Sequence, residues 1–583
     1  MLARAGTARL HVALAALVAA CGQSPRPTSI LLVTLDTTRA DRIGCYGRAE
    51  AGTPALDALA ERGVRFERAV TPVPITLPAH ASLLSGTQPP HHGLRDNGIA
   101  ALDEGVVTLA EVARDGGLAT AAFVSAFPLA RTFGLAQGFE RYDDEFAPAG
   151  PGAIRERRGD ETVRRARAWL EALAPGEPFF LWVHLFDAHE PYRAPEEFAR
   201  RFPEDPYQAE VAFADHCLGE LLGALASLGR EGDTLVCVTA DHGEGLGEHG
   251  EDTHALLLYD TTVRVPLVLA GPGLAPRAVS APASLTDVAA TLAEGAGLAR
   301  GAALAGQGAR SFWPHLAGGP APEGPLYLET LFPRLHFGWS ELVGLEEGGR
   351  KYVEAPGARD EAGTARAELF APADDPAELR DLAAELHAER ESLARALEAL
   401  RRALEQGAAA STRRTQSAED LEALAALGYG GADVLAELPS AFDAPAPGRD
   451  PRRTVGAVQL LNQVRGLSGA GQLEAAAAAL ARLEVLDPGE VIVHEARGDH
   501  HLARGRRGAR AGFERAAEEF AAACALEPGR RGLWLRRFEA LEALGRLTEA
   551  LECLDRALAL APPTPEFQRA RDELARRVAA GGG

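Results

Sequence analysis

Ile30-Leu31-Leu32-Val33-Thr34-Leu35 runs straight into Asp36, followed by Thr37-Thr38-Arg39-Ala40-Asp41. An uninterrupted apolar run of this length, closed by a carboxylate, reads as a strand buried on both faces with a polar exit. Two later stretches share the design. Phe179-Phe180-Leu181-Trp182-Val183 runs through His184 to Asp187 and His189, and Thr234-Leu235-Val236-Cys237-Val238-Thr239 runs into Asp241-His242. From residue 29 to about 319, short apolar runs alternate with helical stretches, which predicts an α/β fold, a mostly parallel sheet sandwiched by helices. In open sheets of this kind ligands lie beyond the carboxyl ends of the strands, so the three exits are expected to converge.

The composition permits such a fold. The chain has 583 residues, 46% hydrophobic and 24% charged, with a net charge of −22. It is long enough for several domains of roughly 100 to 200 residues each, and its acidity argues against nucleic acid as a partner. Lys351 is the only lysine and Met1 the only methionine. At the start, Arg4 and Arg9 precede a short apolar run that ends in Val18-Ala19-Ala20-Cys21. That run is too short to span a bilayer, and small residues before a cysteine resemble a bacterial lipobox. Residues 1–21 are thus expected to be a lipoprotein-type signal peptide lipidated at Cys21, with 22–28 as a tether. The protein is then held at a membrane by a lipid anchor in the cell envelope, facing the periplasm or the exterior. An ordinary cleaved signal peptide or an apolar start to the fold are the alternatives. Cys45, Cys217, Cys237, Cys524 and Cys553 are too scattered for a disulfide framework or a Cys-x-x-Cys metal site. Cys217 and Cys237 either pair or are buried thiols.

The catalytic α/β unit is placed at 29–323. A small antiparallel subdomain follows at 324–381, with short strands expected at 326–328, 342–345, 351–353 and 368–370. Residues 382–430 form a helical extension: the pattern over 379–404 is helical, and Ser417-Ala418-Glu419-Asp420 looks like a cap before a helix over 421–427. A linker rich in Gly, Pro and Ala occupies 431–453. From 454 to 583 the chain is alanine-rich, all-α and repetitive: Gly471-Gln472-Leu473-Glu474-Ala475 leads to Asp487-Pro488, and Gly545-Arg546-Leu547-Thr548-Glu549-Ala550 leads to Ala561-Pro562. Pro528 lies 34 residues before Pro562 but 40 after Pro488, which implies an insertion near 506–510. The spacing resembles tetratricopeptide repeats, whose stacked hairpins present a concave surface to a protein partner.

The chemistry centres on Thr71-Pro72-Val73-Pro74-Ile75-Thr76-Leu77-Pro78-Ala79-His80-Ala81-Ser82-Leu83-Leu84-Ser85-Gly86. Pro78 suits the first turn of a helix ending near Gly86. Thr76 then sits at its N-terminus, where backbone N–H groups and the dipole favour an anion. With 36–41, Asp241-His242-Gly243-Glu244, 259–266, 179–195, Glu329-Thr330, His336-Phe337-Gly338-Trp339-Ser340 and Glu368-Leu369-Phe370, this segment resembles the sulfatase family of the alkaline phosphatase superfamily over roughly residues 29 to 381.

The resemblance implies a metal site from Asp36, Thr76, Asp241 and His242, with a metal-activated nucleophile that forms a covalent intermediate. The family's Cys/Ser-x-Pro-x-Arg pattern, whose first residue becomes formylglycine, is replaced by Thr76-Leu77-Pro78-Ala79-His80, so no formylglycine is expected. A threonine ester must be released by attack at sulfur or phosphorus, which favours phosphoryl chemistry while leaving sulfate esters open. Thr37 replaces a second aspartate that sulfatases usually carry. Its loss, with histidine after Asp241, favours zinc or manganese over calcium. His189 and His254 either bind the anionic oxygens or form a second metal site with Asp187, giving one or two ions. His80 takes the place of the motif arginine, as a catalytic neighbour of Thr76 or as a packing residue. Arg39 either holds the substrate anion or braces the loop through Asp41, and Asn97 serves a turn or faces the substrate. Glu248 and His249 are candidates to line the pocket, whereas His91 and His92 read as surface turn residues.

The expected function is metal-dependent hydrolysis of a sulfuric or phosphoric ester on a glycan, lipid or small molecule. A phospho-headgroup transferase acting on lipid or glycan, and a silent envelope scaffold working through the repeats, are the alternatives.

Overall fold

The structure, a computed structural model, describes residues 26–146, 154–359, 363–406, 412–413, 423–424, 448–560 and 565–581. The signal segment with Cys21, the cap and helix expected at 417–427 (all but residues 423–424), and most of the 431–453 linker lie outside the described residues.

The main sheet has eight strands: β1 (Ser29–Leu35), β2 (Val64–Phe66), β3 (Ala119–Phe123), β4 (Arg141–Asp143), β5 (Phe179–Leu185), β6 (Thr234–Ala240), β7 (Leu267–Ala270) and β8 (Arg277–Val279). Their spatial order is β8-β2-β7-β6-β1-β5-β3-β4. The run β6-β1-β5-β3-β4 is parallel, and β7 is antiparallel to both its neighbours. The three strands singled out in the sequence are thus adjacent. Leu35 lies opposite Leu185 on one side and Ala240 on the other, so Asp36 and Asp241 leave the sheet at one level.

Strand β1 is buried throughout because alternate side chains enter different cores. Leu31, Val33 and Leu35 pack under α1 (Pro54–Glu61), α3 (Gly159–Ala172) and α4 (Pro206–Ser227). Ile30 and Leu32 share the opposite core with α2 (Thr76–Ser85) and α5 (Val288–Gly295). Cys217 and Cys237 are buried free thiols.

The smaller sheet is antiparallel, β9 (Leu326–Thr330), β10 (Leu342–Glu347), β11 (Arg350–Arg359) and β12 (Ala365–Phe370), in chain order. Lys351 is fully buried there between Asp260 (2.9 Å) and Glu378 (2.8 Å). The following helix, α6 (His387–Glu405), begins later than the pattern at 379 suggested. Asp381 takes the backbone N–H groups of Leu369 and Ala383, which holds the preceding turn against β12 instead.

The C-terminal region is helical: α7 (Pro451–Gly469), α8 (Leu473–Leu486), α9 (Val491–Arg506), α10 (Arg510–Leu526), α11 (Arg531–Ala543), α12 (Leu547–Ala559) and α13 (Pro565–Gly581). The 40-residue interval is not a loop insertion. Helices α9 and α10 have 16 and 17 residues, against 13 each for α11 and α12, so the excess lies in helix length. Leu461, Val464, Leu483 and Val493 of the first helices join the same core as α2 and α5, while α10 to α12 surround a separate one. Among the described residues, no helix is long and apolar enough to cross a membrane.

Candidate active site

Asp36 at the exit of β1 and Asp241 and His242 at the exit of β6 have ligand-capable atoms that all lie within 4.8 Å of one another. All three are fully buried, and they are the only such trio among the described residues. Thr76 opens α2, with its Oγ1 3.5 Å from His242 Nε2. The residue before it, Ile75, is extended and offers no side-chain cap. That role falls to Asn97, whose Oδ1 accepts the Leu77 N–H at 2.8 Å. Asn97 therefore braces the first turn of α2 from a separate loop, and its buried Nδ2 has no hydrogen-bond partner.

Hydrogen bonds from the other ring nitrogen orient the histidines. His242 donates from Nδ1 to Gly243 O (3.0 Å), so Nε2 carries the lone pair toward Thr76 and the aspartates. His189 donates from Nδ1 to Glu190 O (2.7 Å) and stacks on Phe186. His254 is held through Nδ1 by Glu244 Oε1 (3.0 Å), and Glu244 Oε2 accepts from Tyr192 (3.1 Å). The His254 ring lies 4.4 Å from His242 and 5.2 Å from His189, centroid to centroid. These three rings and Asp36 thus form one cluster.

His184 was passed over in the sequence as part of a strand. Ser125 N–H donates to its Nδ1, which makes Nε2 the donor to Asp36 Oδ2 at 3.0 Å. A histidine inside an otherwise apolar β5 was the available signal. His80 has both nitrogens engaged. Trp182 Nε1 donates to Thr34 Oγ1, Thr34 donates to His80 Nε2 (3.1 Å), and His80 Nδ1 donates to Thr76 O (2.8 Å). With no nitrogen left for substrate, it positions Thr76 and is not itself a catalytic group. Burial lowers the pKa of His80 to about 3 and of His184 to about 4, and also lowers those of His189 and His254, so the imidazoles are neutral.

Other expectations change. Asp187 does not join His189 and His254: its Oδ1 accepts the Gly159 N–H at the start of α3 (2.9 Å), and burial lifts its pKa to about 7. The second metal set is therefore not assembled. Arg39 braces the loop, bound to both oxygens of Asp41, to Glu244 O (3.1 Å) and to Glu248 Oε1 (3.0 Å). Glu248 is taken up by that contact, and His249 stacks on Tyr259, so neither lines the pocket. His92 is buried against Ser82 Oγ and is not a surface residue.

Burial raises the pKa of Asp36 and Asp241, and each has one buried oxygen, Asp36 Oδ1 and Asp241 Oδ2, without a hydrogen-bond partner. Two such oxygens beside an imidazole lone pair form an acceptor-only set, which a cation satisfies and a hydrogen-bond donor does not. Next to Asp36, Thr37 adopts φ +50°, an uncommon conformation for a β-branched residue. That twist aims the Thr37 N–H at Asp241 Oδ1 (3.2 Å).

Fold and site together define an alkaline-phosphatase-like α/β domain in which a helix-borne threonine stands beside a carboxylate and imidazole cluster that could hold a metal ion. The sulfatase family model matches residues 28–298, and a tetratricopeptide-repeat model matches 531–577. Arylsulfatase A of Bos taurus is 30% identical over 349 residues, covering 49% of this chain and 67% of its own. Arylsulfatase A of Homo sapiens is 28% identical over 331 residues, covering 47% of this chain and 64% of its own. The solved phosphonate monoester hydrolase of Agrobacterium radiobacter shares the fold, with a TM-score of 0.53 and 23% identity, over 67% of this chain and 100% of that one. The chain belongs to the sulfatase family and spans 64–67% of the length of these curated relatives.

Proposed function

We propose that this chain is a metal-dependent hydrolase of sulfuric or phosphoric esters with Thr76 as its nucleophile. The observation that carries this reading is the Thr76 hydroxyl at the N-terminus of α2, 3.5 Å from a metal-site imidazole, in a site walled by unpartnered carboxylate oxygens. Asp36, Thr76, Asp241 and His242 would hold the divalent cation, with zinc or manganese favoured by the imidazole. When bound, the cation lowers the pKa of the threonine hydroxyl and offsets the negative charge of the ester.

Thr76 Oγ attacks sulfur or phosphorus in line, the bond from that atom to the alcohol oxygen breaks, and the alcohol leaves with a proton. Thr76 then carries the sulfuryl or phosphoryl group. Water attacks the same sulfur or phosphorus, the bond to Thr76 Oγ breaks, and the hydroxyl regains its proton as inorganic sulfate or phosphate departs. The α2 N-terminus favours the alkoxide, and His189 and His254 line the side where the ester oxygens sit. The Trp182, Thr34 and His80 chain holds the Thr76 carbonyl, fixing the first turn of α2. In the same reading the substrate is a glycan, lipid or small molecule reached from a Cys21 lipid anchor in the cell envelope.

The test is turnover of residues 22–583, loaded with metal, on matched aryl sulfate, phosphate monoester, phosphodiester and phosphonate substrates. Activity on at least one ester, lost with Thr76→Ala, and a sulfuryl or phosphoryl adduct on the Thr76 peptide after rapid quench are expected. Full activity of Thr76→Ala overturns the assignment.

A further inference from the structure

We propose that the repeat region acts on the catalytic site in cis: its first helix, α7, holds the turn Glu248–Gly250 and through it the loop that carries Glu244 and His254. This rests on the reading of His254 as an active-site residue.

The loop is under backbone strain. Leu246, His249 and Ala255, none of them glycine, have φ of +54°, +54° and +83°. Such conformations persist where surrounding contacts over-determine them. Part of that restraint is internal, from Leu246 N–H to Asp252 O (3.0 Å) and Gly247 N–H to Glu251 O (2.8 Å). More comes from the catalytic unit, through Arg39 on Glu248, Tyr259 on His249 and Thr330 on Ala255 O, and a further part comes from α7. A Cβ placed on Gly250 would lie 3.3 Å from Val455 Cγ1, so α7 is seated directly on the turn.

One turn earlier in α7, Arg452 is almost fully buried and spends its guanidinium across the subdomain. It donates to Val353 O (3.2 Å) and Arg366 O (3.0 Å), pairs with Glu368 (3.3 Å), and is squared by Asp450 (2.8 Å). Glu368 Oε2 accepts from Tyr259 OH (2.9 Å), and the Tyr259 ring lies flat on His249, 3.6 Å away and 8° from parallel. From the turn, Glu248 binds Arg39, Arg39 binds Glu244 O, and Glu244 binds His254. Every link from α7 to His254 is a direct contact, and all but the exposed Glu248 are buried or half-buried groups, the kind of contiguous network through which packing energy is transmitted. Arg452 and Val455 are positioning residues in this scheme, since neither touches the site. The repeats beyond α9 pack around their own core, which leaves them available to a partner whose binding would reach the site through α7.

The experiment uses the full chain and compares Arg452→Ala and Val455→Ala with Arg506→Ala, which removes an exposed ion pair far along the repeats. Amide hydrogen exchange over 244–255 is measured with kcat and KM on whichever ester the wild type turns over. The expected result is at least about tenfold faster exchange in the loop for Arg452→Ala and a smaller rise for Val455→Ala, with α2 unchanged. A fall in kcat of about tenfold with KM within about twofold should accompany it. Arg506→Ala should match the wild type. Unchanged loop exchange in folded Arg452→Ala or Val455→Ala overturns the proposal, and Val455→Ala decides alone if Arg452→Ala does not fold. Exchange is read without turnover, so an inactive wild type would refute the hydrolase reading and leave this result standing.

Discussion

Asp241→Asn separates what the carboxylate pair does in metal-free protein from what it does in metal-loaded protein, and the two effects have opposite signs. The ligand-capable atoms of Asp36, Asp241 and His242 lie within 4.8 Å of one another in a fully buried setting. Two full charges at that separation repel by at least about 3 kcal/mol at an effective dielectric near 20. Burial raises both pKa values, and for Asp241 the nearby Asp36 adds to the rise. An acid whose folded pKa is raised takes up protons on folding. Its contribution is therefore fully present below the unfolded value of about 3.9 and is lost as pH rises through the folded value.

Metal-free wild type should thus melt lower at pH 8 than at pH 5.5, and Asp241→Asn should be the more stable of the two proteins at pH 8, by roughly 5 °C for about 3 kcal/mol in a unit of this size. Zinc or manganese at about 1,000 times its Kd should reverse the order, since it stabilises wild type by about 4.1 kcal/mol and gains little from the variant. Differential scanning calorimetry with and without chelator reads both signs. If Asp241→Asn melts below wild type without metal at pH 8, or if metal stabilises both equally, the pair is not the cation site.

Glu244→Gln keeps the shape of the side chain but puts an amide in place of the carboxyl that orients His254, and should lower kcat by about 10- to 100-fold with a smaller change in KM, as steady-state kinetics will show. Thr37→Gly should melt no lower than wild type, because relief of the strained φ of +50° offsets the entropy that glycine adds to the unfolded chain. Lys351→Met leaves Asp260 and Glu378 without their buried ammonium and should cost about 3–5 kcal/mol in denaturant unfolding.

What was legible in the sequence was what strands dictate. Apolar runs ending in Asp36 and Asp241 could only be doubly buried parallel strands, and convergence of their exits followed from the architecture. Side-chain direction was less legible. Asp187 lies two residues beyond Leu185, the end of β5, yet it turns to the N-terminus of α3, a choice set by the free Gly159 N–H and not by its neighbours in sequence. His184 contributes at the site because strand alternation points it toward Asp36, and a histidine in an apolar run was the one signal of it, silent on which group it would meet. Arg39 and His80 looked like substrate and catalytic groups until their partners were counted. Their groups are engaged both by near neighbours, Asp41 and Thr76, which the sequence could suggest, and by Glu244, Glu248 and Thr34, which lie 205, 209 and 46 positions away and which it could not.

The threonine makes Glu244 more consequential than it would be beside a formylglycine. A formylglycine hydrate releases sulfate by breaking its own C–O bond, whereas a threonine ester can be freed only when water reaches sulfur or phosphorus. In the proposed mechanism the second half-reaction therefore depends on groups held rigidly around that atom. His254, which faces the ester in that reading, is oriented by the Glu244 carboxyl, itself held by Tyr192 and, through Arg39, by the loop it belongs to. A site that hydrolyses through threonine would thus be limited by the rigidity of this loop, which is the element that α7 of the repeats is packed against.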